Sequence, residues 1–98
     1  MAKYDVYRAD VGTYLLDYQT DLLSGLNTRL VVPLMPVETA PVAGARLNPI
    51  FEIEGTTCAM VTQYAAAVLA VDLRDFVMSL EAHDFTIGNA LDLLISGF

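Results

Sequence analysis

The sequence predicts a single, mainly β domain over residues 1–98 that ends in an α-helix. A chain of 98 residues has room for one hydrophobic core. Short segments through most of the chain alternate apolar and polar side chains, which is the period of a half-buried strand, whereas the last segment repeats its apolar residues at helical spacing. About five or six short strands at this spacing favour a small β-barrel or sandwich.

The first half of the chain predicts three strands. Residues 3–8 alternate and predict a half-buried strand, and residues 14–20 predict another after a turn at Gly12. Residues 29–35 are a continuous apolar run rich in β-branched side chains, as in a strand covered on both faces. Pro33 within this run has no N–H to donate, so the strand must bulge there or leave that edge unpaired.

The middle of the chain predicts a long loop followed by a hairpin. Residues 36–49 lose all periodicity and contain several prolines, which indicates a surface loop. Residues 50–54 alternate cleanly, and a turn at residues 55–56 leads into a strand over 57–63. A short last strand is predicted over 68–71.

The C-terminal segment predicts helix. Asp72 is placed to cap a short helical turn over 73–80, and a longer helix begins at Asp84 or Phe85. Gly88 weakens this helix by about 1 kcal/mol relative to alanine, so packing against the barrel must help to hold it. The apolar residues that recur at helical spacing are Ile87, Leu91, Leu94 and Phe98.

The composition predicts a cytoplasmic homodimer. The chain is 55% hydrophobic and 17% charged, more apolar side chain than a domain of this size can bury alone. The longest uncharged apolar run, residues 64–71, is far shorter than the roughly 20 residues of a membrane-spanning helix. The N-terminus lacks the apolar core of a secretion signal, and the single cysteine, Cys58, fits a reducing compartment.

The charge balance argues against direct binding to nucleic acid. Five basic residues stand against twelve acidic ones, and the net charge is −7. The basic residues are scattered, whereas nucleic-acid binding draws much of its free energy from clustered contacts with phosphates. The expected partner is therefore another protein.

The residue types that carry chemistry form no recognisable active site. His83 is the only histidine and is expected in a surface loop, and Cys58 is expected to be a buried, inert thiol. Glu52 and Glu54 share one strand face, where two exposed acids are usually just solvated. The isolated glycines form no phosphate-binding motif. The sequence thus predicts no enzyme activity, no cofactor and no metal.

Several segments together resemble the CcdB family of toxins over nearly the whole length. They occur in the family's order and spacing, and they are Asp17-Tyr-Gln-Thr-Asp-Leu-Leu23, Thr28-Arg-Leu-Val-Val-Pro-Leu34, Leu47-Asn-Pro-Ile-Phe-Glu-Ile-Glu-Gly55, Met60-Val-Thr62 and Asn89-Ala-Leu-Asp-Leu-Leu-Ile-Ser-Gly-Phe98. The resemblance implies an SH3-like β-barrel with a small additional sheet and a C-terminal helix, assembled as a homodimer. It also implies binding to the A subunit of DNA gyrase, which traps the enzyme on cleaved DNA, and neutralisation by the disordered C-terminal segment of a CcdA-type antitoxin.

Carried over by position, the resemblance implies a gyrase-binding surface at the end of the chain. This surface comprises Leu22, Leu23, Asp92, Ser96, Gly97 and Phe98. Core packing is the alternative for the two leucines, because adjacent residues at a strand end often point in opposite directions. The best-known family ending is Trp-Gly-Ile, whereas this chain ends in Ser-Gly-Phe. Losing a stacking aromatic at an interface costs about 2 kcal/mol or more of binding free energy. Phe98 can restore part of that free energy as an apolar anchor.

Two other functions stay open on the sequence. Endoribonuclease toxins of the MazF/Kid type share this barrel, although RNA cleavage needs a basic groove and an acid–base pair that this composition does not offer. A non-toxic homologue retained for antitoxin binding and operon regulation is the other alternative.

Overall fold

The computed structural model describes residues 1–10 and 12–98. In this part of the chain a mainly β half-barrel carries one C-terminal α-helix, so the predicted fold class is confirmed. The elements are β1 (Asp5–Asp10), β2 (Thr13–Asp17), β3 (Thr28–Pro36), β4 (Ile50–Ile53), β5 (Thr56–Met60), β6 (Ala66–Leu69), β7 (Phe76–Ser79) and helix α1 (Asp84–Ser96). The described residues contain no helix long and apolar enough to cross a membrane.

Strand β3 is the centre of the sheet. The strand order is β4-β5-β3-β2-β1-β7, and β6 pairs separately with β3. One edge of β3 pairs with β2, whereas the other pairs with β6 through residues 28–31 and with β5 through residues 34–36. Pro33 lies in the gap between these two partners, where its carbonyl oxygen accepts the Val61 N–H at 2.8 Å. A residue's nitrogen and carbonyl point to the same edge of a strand, so the missing N–H of Pro33 falls at this gap. The strand does not bulge there, and the edge lacks only this one donor.

Both faces of β3 are covered, as its apolar run predicts. On one face Val32 is buried in the main core, which α1 closes. On the other face Val31 packs with Tyr7 and Leu73 in a smaller apolar cluster. Each of these buried aliphatic side chains contributes about 1.5–3 kcal/mol by leaving water, and together they hold β3 in place.

The hairpin of β4 and β5 is closed by a two-residue turn. Glu54 and Gly55 both have positive φ, 50° and 80°, and Ile53 pairs with Thr56. Positive φ at both central residues is the type I′ geometry that matches the twist of antiparallel strands. The turn therefore lies one residue earlier than the predicted 55–56.

Several predicted elements differ from the structure, and the strand predicted over 57–63 ends at Met60. The helical turn predicted over 73–80 is wrong, because Phe76–Ser79 forms β7 and pairs with β1. So short an apolar segment has no decisive period, and the pairing with β1 decides its conformation. Strand β2 ends at Asp17 rather than at residue 20, because the Asp17 carboxylate accepts the Gln19 N–H at 3.0 Å and turns the chain. The strand predicted over 68–71 forms over Ala66–Leu69 instead.

The predicted long loop is present from residue 37 to residue 49 and is held from inside by a buried asparagine. The Asn48 Oδ1 accepts the Ala43 N–H at 2.7 Å. Its Nδ2 donates to the Met60 carbonyl oxygen at 3.0 Å and to the Gln63 Oε1 at 2.8 Å. One side chain thus ties the loop to the end of β5.

Candidate protein-binding surface

Helix α1 extends past the core that it covers. Its buried residues Ile87, Ala90 and Leu91 follow a spacing of three and four, so they form one stripe facing the sheet. The predicted stripe does not continue, because residues 94–98 are all exposed and Phe98 is 81% exposed. We call residues 94–98 the C-terminal tip. Its apolar side chains contribute little to the core and are available to a partner.

Gly97 ends the helix. It has a φ of 81°, and its N–H donates to the Leu93 carbonyl oxygen at 3.0 Å. Glycine adopts this left-handed conformation without strain, and it is the usual residue where a helix stops. A Cβ atom at Gly97 would meet nothing within 4 Å. The glycine is therefore required by the backbone and not by packing.

Tyr18 connects α1 to the loop that follows β2. Its hydroxyl oxygen lies 3.7 Å from where a Cβ on Gly88 would stand. Asp92 is one helical turn farther along the same face and is exposed. Burial, and then the negative charge of Asp92, raise the pKa of Tyr18. This contact brings the predicted site residue Asp92 next to the base of that loop.

The contact at Gly88 predicts a stabilising substitution. Gly88→Ala is expected to raise the free energy of unfolding by about 0.5–1 kcal/mol, because alanine favours the helix. The new Cβ would stand at an ordinary van der Waals distance from Tyr18. Urea denaturation measures the change. Gly97→Ala is the matched control and should lower stability instead, since the φ of Gly97 is 81°. A loss of stability in Gly88→Ala would show that Tyr18 leaves no room at the helix.

The loop of residues 18–27, here called the leucine loop, presents Leu22 and Leu23 to solvent. Leu22 is 91% exposed and Leu23 is also exposed, so core packing accounts for neither. The Thr20 Oγ1 accepts the Leu22 N–H at 3.3 Å, and the Gln19 Nε2 donates to the Leu23 carbonyl oxygen at 3.2 Å. The two leucines thus present adjacent apolar side chains that are available to a partner.

A buried ion pair lies beneath the leucine loop. The exposed fractions of the Arg29 and Asp17 side chains are 1% and 0%. The Arg29 Nε and Nη2 both donate to the Asp17 Oδ2, at 2.9 and 2.7 Å. The Nη2 also reaches the Gln19 carbonyl oxygen at 3.4 Å. Sequence reasoning missed this pair and counted Arg29 only as one of five scattered cations, although a charge beside an apolar run was a signal that it has a partner.

Lys3, which precedes β1, contacts the leucine loop. The Lys3 N–H donates to the Asp21 carboxylate at 2.9 Å. The Lys3 Nζ lies 4.3 Å from the centre of the Tyr18 ring and 5.3 Å from that of Tyr4. Cations attract aromatic faces at such distances. These contacts fix the base of the leucine loop against the segment that precedes β1.

The other titratable groups form structural contacts. Glu54 is paired rather than merely solvated as predicted: it accepts from the Arg8 Nη2 at 2.5 Å and from the Tyr14 hydroxyl at 3.0 Å. These two hydrogen bonds lower the pKa of Glu54. Cys58 is buried, and burial raises the pKa of its thiol. His83 is exposed, with its ring against Phe51 at 5.2 Å between ring centres. Across residues 1–10 and 12–98, neither a pocket nor a metal-binding cluster was found.

The predicted site residues thus fall into two exposed groups. Leu22 and Leu23 lie on the leucine loop, whereas Asp92, Ser96, Gly97 and Phe98 lie on the last two turns of α1 and just after it. Tyr18 is the side chain that the structure places between the two groups.

Comparison with known proteins gives one family. A family model described as CcdB protein matches residues 3–97. The search of curated proteins found no match to this chain.

Proposed function

The chain belongs to the CcdB family of toxins from toxin–antitoxin modules, and from this premise we propose that it binds the A subunit of DNA gyrase. By this proposal it traps the gyrase–DNA cleavage complex and stops replication, acting by binding and not by catalysis. The observation that carries the proposal is the C-terminal tip, an apolar helix end that projects beyond the core with Phe98 81% exposed. Leu94, Ile95 and Phe98 are all exposed within this short segment, and contiguous exposed apolar surface is typical of protein interfaces.

The proposed gyrase contacts are the two exposed groups described above. Leu22 and Leu23 offer apolar area on a loop that is held by hydrogen bonds, which lowers the entropy lost on binding. On the helix, Asp92 and Ser96 are four residues apart and project from one face, and Gly97 ends the helix so that Phe98 lies beyond it. Phe98 is the apolar anchor of the group, because aromatic side chains dominate interface energetics.

The remaining partners follow from the same family membership. We propose that two copies form a homodimer in the cytoplasm. We also propose that a CcdA-type antitoxin neutralises the dimer through a disordered C-terminal segment, and that the toxin–antitoxin complex represses its own operon. A disordered segment needs exposed apolar surface to offset its ordering entropy, and residues such as Leu26, Val71 and Ile95 provide it.

Phe98→Ala is expected to weaken binding to a gyrase A fragment about tenfold or more, because it removes the aromatic anchor of the tip. Isothermal titration calorimetry measures the affinity, and trapping of cleaved DNA in a supercoiling reaction gives a second readout. Phe85→Ala is the matched control: Phe85 is 78% exposed on the same helix but at its other end. This control should bind gyrase A like the original chain.

Three outcomes separate the proposal from its alternatives. Equal gyrase affinity for Phe98→Ala and Phe85→Ala would remove the tip from the mechanism. Degradation of RNA by the purified chain, with gyrase unaffected, would favour an endoribonuclease of the MazF/Kid type. Expression without an antitoxin and without any growth defect would favour a non-toxic homologue.

A further inference from the structure

The turn that carries Leu22 and Leu23 contains no buried residue. It is a single 3-10 turn, Asp21–Leu23, and every residue of the leucine loop from 20 to 27 is exposed. Apolar packing therefore cannot fix its conformation. The order of the two leucines must come from hydrogen bonds, because a segment with few buried contacts opens at little cost in free energy.

The Gln19 side chain joins this turn to strand β3. Its Oε1 accepts the Leu30 N–H at 3.1 Å, and its Nε2 donates to the Leu23 carbonyl oxygen at 3.2 Å. The N–H groups of Leu22 and Leu23, in contrast, both donate to Thr20 inside the loop. Gln19 thus supplies the bond that connects the leucines to the sheet.

The Gln19 amide takes the place of a backbone carbonyl in the strand ladder. Continued by one pair, the register of β2 and β3 places Leu30 opposite Tyr18, whose N–H donates to the Leu30 carbonyl oxygen at 2.9 Å. In a regular antiparallel pair the Leu30 N–H would donate back to Tyr18. The Gln19 Oε1 accepts it instead, so the amide extends the ladder by one bond beyond the end of β2.

The two partners of the Gln19 side chain require an amide. The Leu30 N–H needs an acceptor and the Leu23 carbonyl oxygen needs a donor, and the two ends of one glutamine supply both. A carboxylate would accept from Leu30 but place a second acceptor against Leu23. The backbone of Gln19 is also fixed, since its N–H donates to the Asp17 carboxylate at 3.0 Å and its carbonyl oxygen accepts from Arg29 at 3.4 Å.

We propose that Gln19 is the positioning residue of the leucine loop and fixes Leu22 and Leu23 in the conformation that binds gyrase A. This inference rests on the proposed function, in which gyrase A is the partner of these leucines. Gln19 acts through the leucines, because a loop that is already ordered in the free chain loses less conformational entropy when it binds. Its substitution weakens binding although both apolar side chains remain.

Gln19→Met is expected to weaken binding to the gyrase A fragment about five- to tenfold, because methionine has a similar length but makes neither hydrogen bond. Isothermal titration calorimetry of the full chain measures the affinity. In the free chain, the NMR order parameters of the Leu22 and Leu23 amides should fall from about 0.85, the value of rigid backbone, toward about 0.6.

Gln63→Met is the matched control. Gln63 is half-buried like Gln19 and also uses both ends of its amide. Its Oε1 accepts from the Asn48 Nδ2 at 2.8 Å, and its Nε2 donates to the Pro41 carbonyl oxygen at 2.7 Å. These bonds hold the loop of residues 37–49, so the control loses comparable bonds in a different place. It should bind gyrase A like the original chain.

A double-mutant cycle separates positioning from direct contact. If Gln19 acts through the leucines, Gln19→Met should change the affinity less than about twofold once Leu22 and Leu23 are both replaced by alanine. In a Phe98→Ala background, which leaves the leucines in place, Gln19→Met should keep its full effect. A general loss of stability would lower the affinity equally in both backgrounds.

Several results would overturn the proposal. Unchanged affinity in Gln19→Met, or an equal loss in Gln63→Met, would remove Gln19 from the binding surface. An effect of Gln19→Met that persists without the leucines would make Gln19 a direct contact. Normal binding by Gln19→Glu would show that the bond to the Leu23 carbonyl oxygen is not needed. Failure of the original chain to bind the gyrase A fragment is a distinct result, since it would contradict the proposed function itself and this inference with it.

Discussion

Arg29→Met is expected to lower the free energy of unfolding by about 3–5 kcal/mol, because it leaves a buried carboxylate without its counter-ion. Asp17 has no exposed side-chain surface, and both short bonds to its Oδ2 come from Arg29. Water cannot replace the lost guanidinium at that depth. The same loss frees the Gln19 carbonyl oxygen and loosens the leucine loop above it. Urea unfolding followed by circular dichroism measures the first effect, and hydrogen exchange at Leu22 and Leu23 measures the second.

A double variant separates the unpaired charge from lost packing. Asp17→Asn combined with Arg29→Met removes both charges and keeps an oxygen for the Gln19 N–H. Replacing both members of a buried pair is far less costly than removing one. The double variant should therefore be more stable than Arg29→Met alone by about 1 kcal/mol or more. If it is not, the volume of the arginine side chain stabilises the site and the charge pairing does not.

Asn48→Ala is expected to lower the free energy of unfolding by at least about 2 kcal/mol, since each buried polar group left without a partner costs about 1–3 kcal/mol. Asn48 is buried and satisfies the Ala43 N–H and the Met60 carbonyl oxygen at once. The substitution should also increase proteolysis within residues 37–49, because the asparagine ties that loop to β5. Urea unfolding and limited proteolysis measure the two effects.

Asn27→Ala is the matched control for Asn48→Ala. Asn27 is exposed in the leucine loop, and only its backbone is used there, by the Ala70 N–H. Its substitution should change stability by less than about 0.5 kcal/mol. Similar losses in both variants would mean that the loop is not held through the Asn48 amide.

Local patterns predicted most of the fold, and long-range pairing explains what they missed. The helix begins at Asp84 as predicted, because an amphipathic period extends over several turns. The run over 29–35 became β3, since its β-branched side chains suit a strand buried on both faces. Residues 76–79 have no such period, and only the position of β1 makes them a strand.

The candidate site was predictable as a set of residues but not as a surface. The resemblance singled out Leu22 and Phe98, yet nothing in the sequence shows that both are exposed. Two adjacent leucines look the same in a sequence whether they are buried in the core or exposed on the surface. Only the position of the loop in the fold decides which is the case. The pair of Asp17 and Arg29 was missed because ion pairing across twelve residues depends on how β2 and β3 align.

Because α1 projects beyond the core, its residues are under two different constraints. Its first turns carry Ile87 and Leu91, where almost any change disturbs the fold. Its tip carries side chains that the fold does not use, so mutations there are nearly free of stability cost. Substitutions at the exposed tip residues other than Gly97 are therefore expected to change what the tip can bind while the scaffold stays the same. Gly97 is the exception within the tip, because its positive φ ends the helix whatever side chains stand beside it.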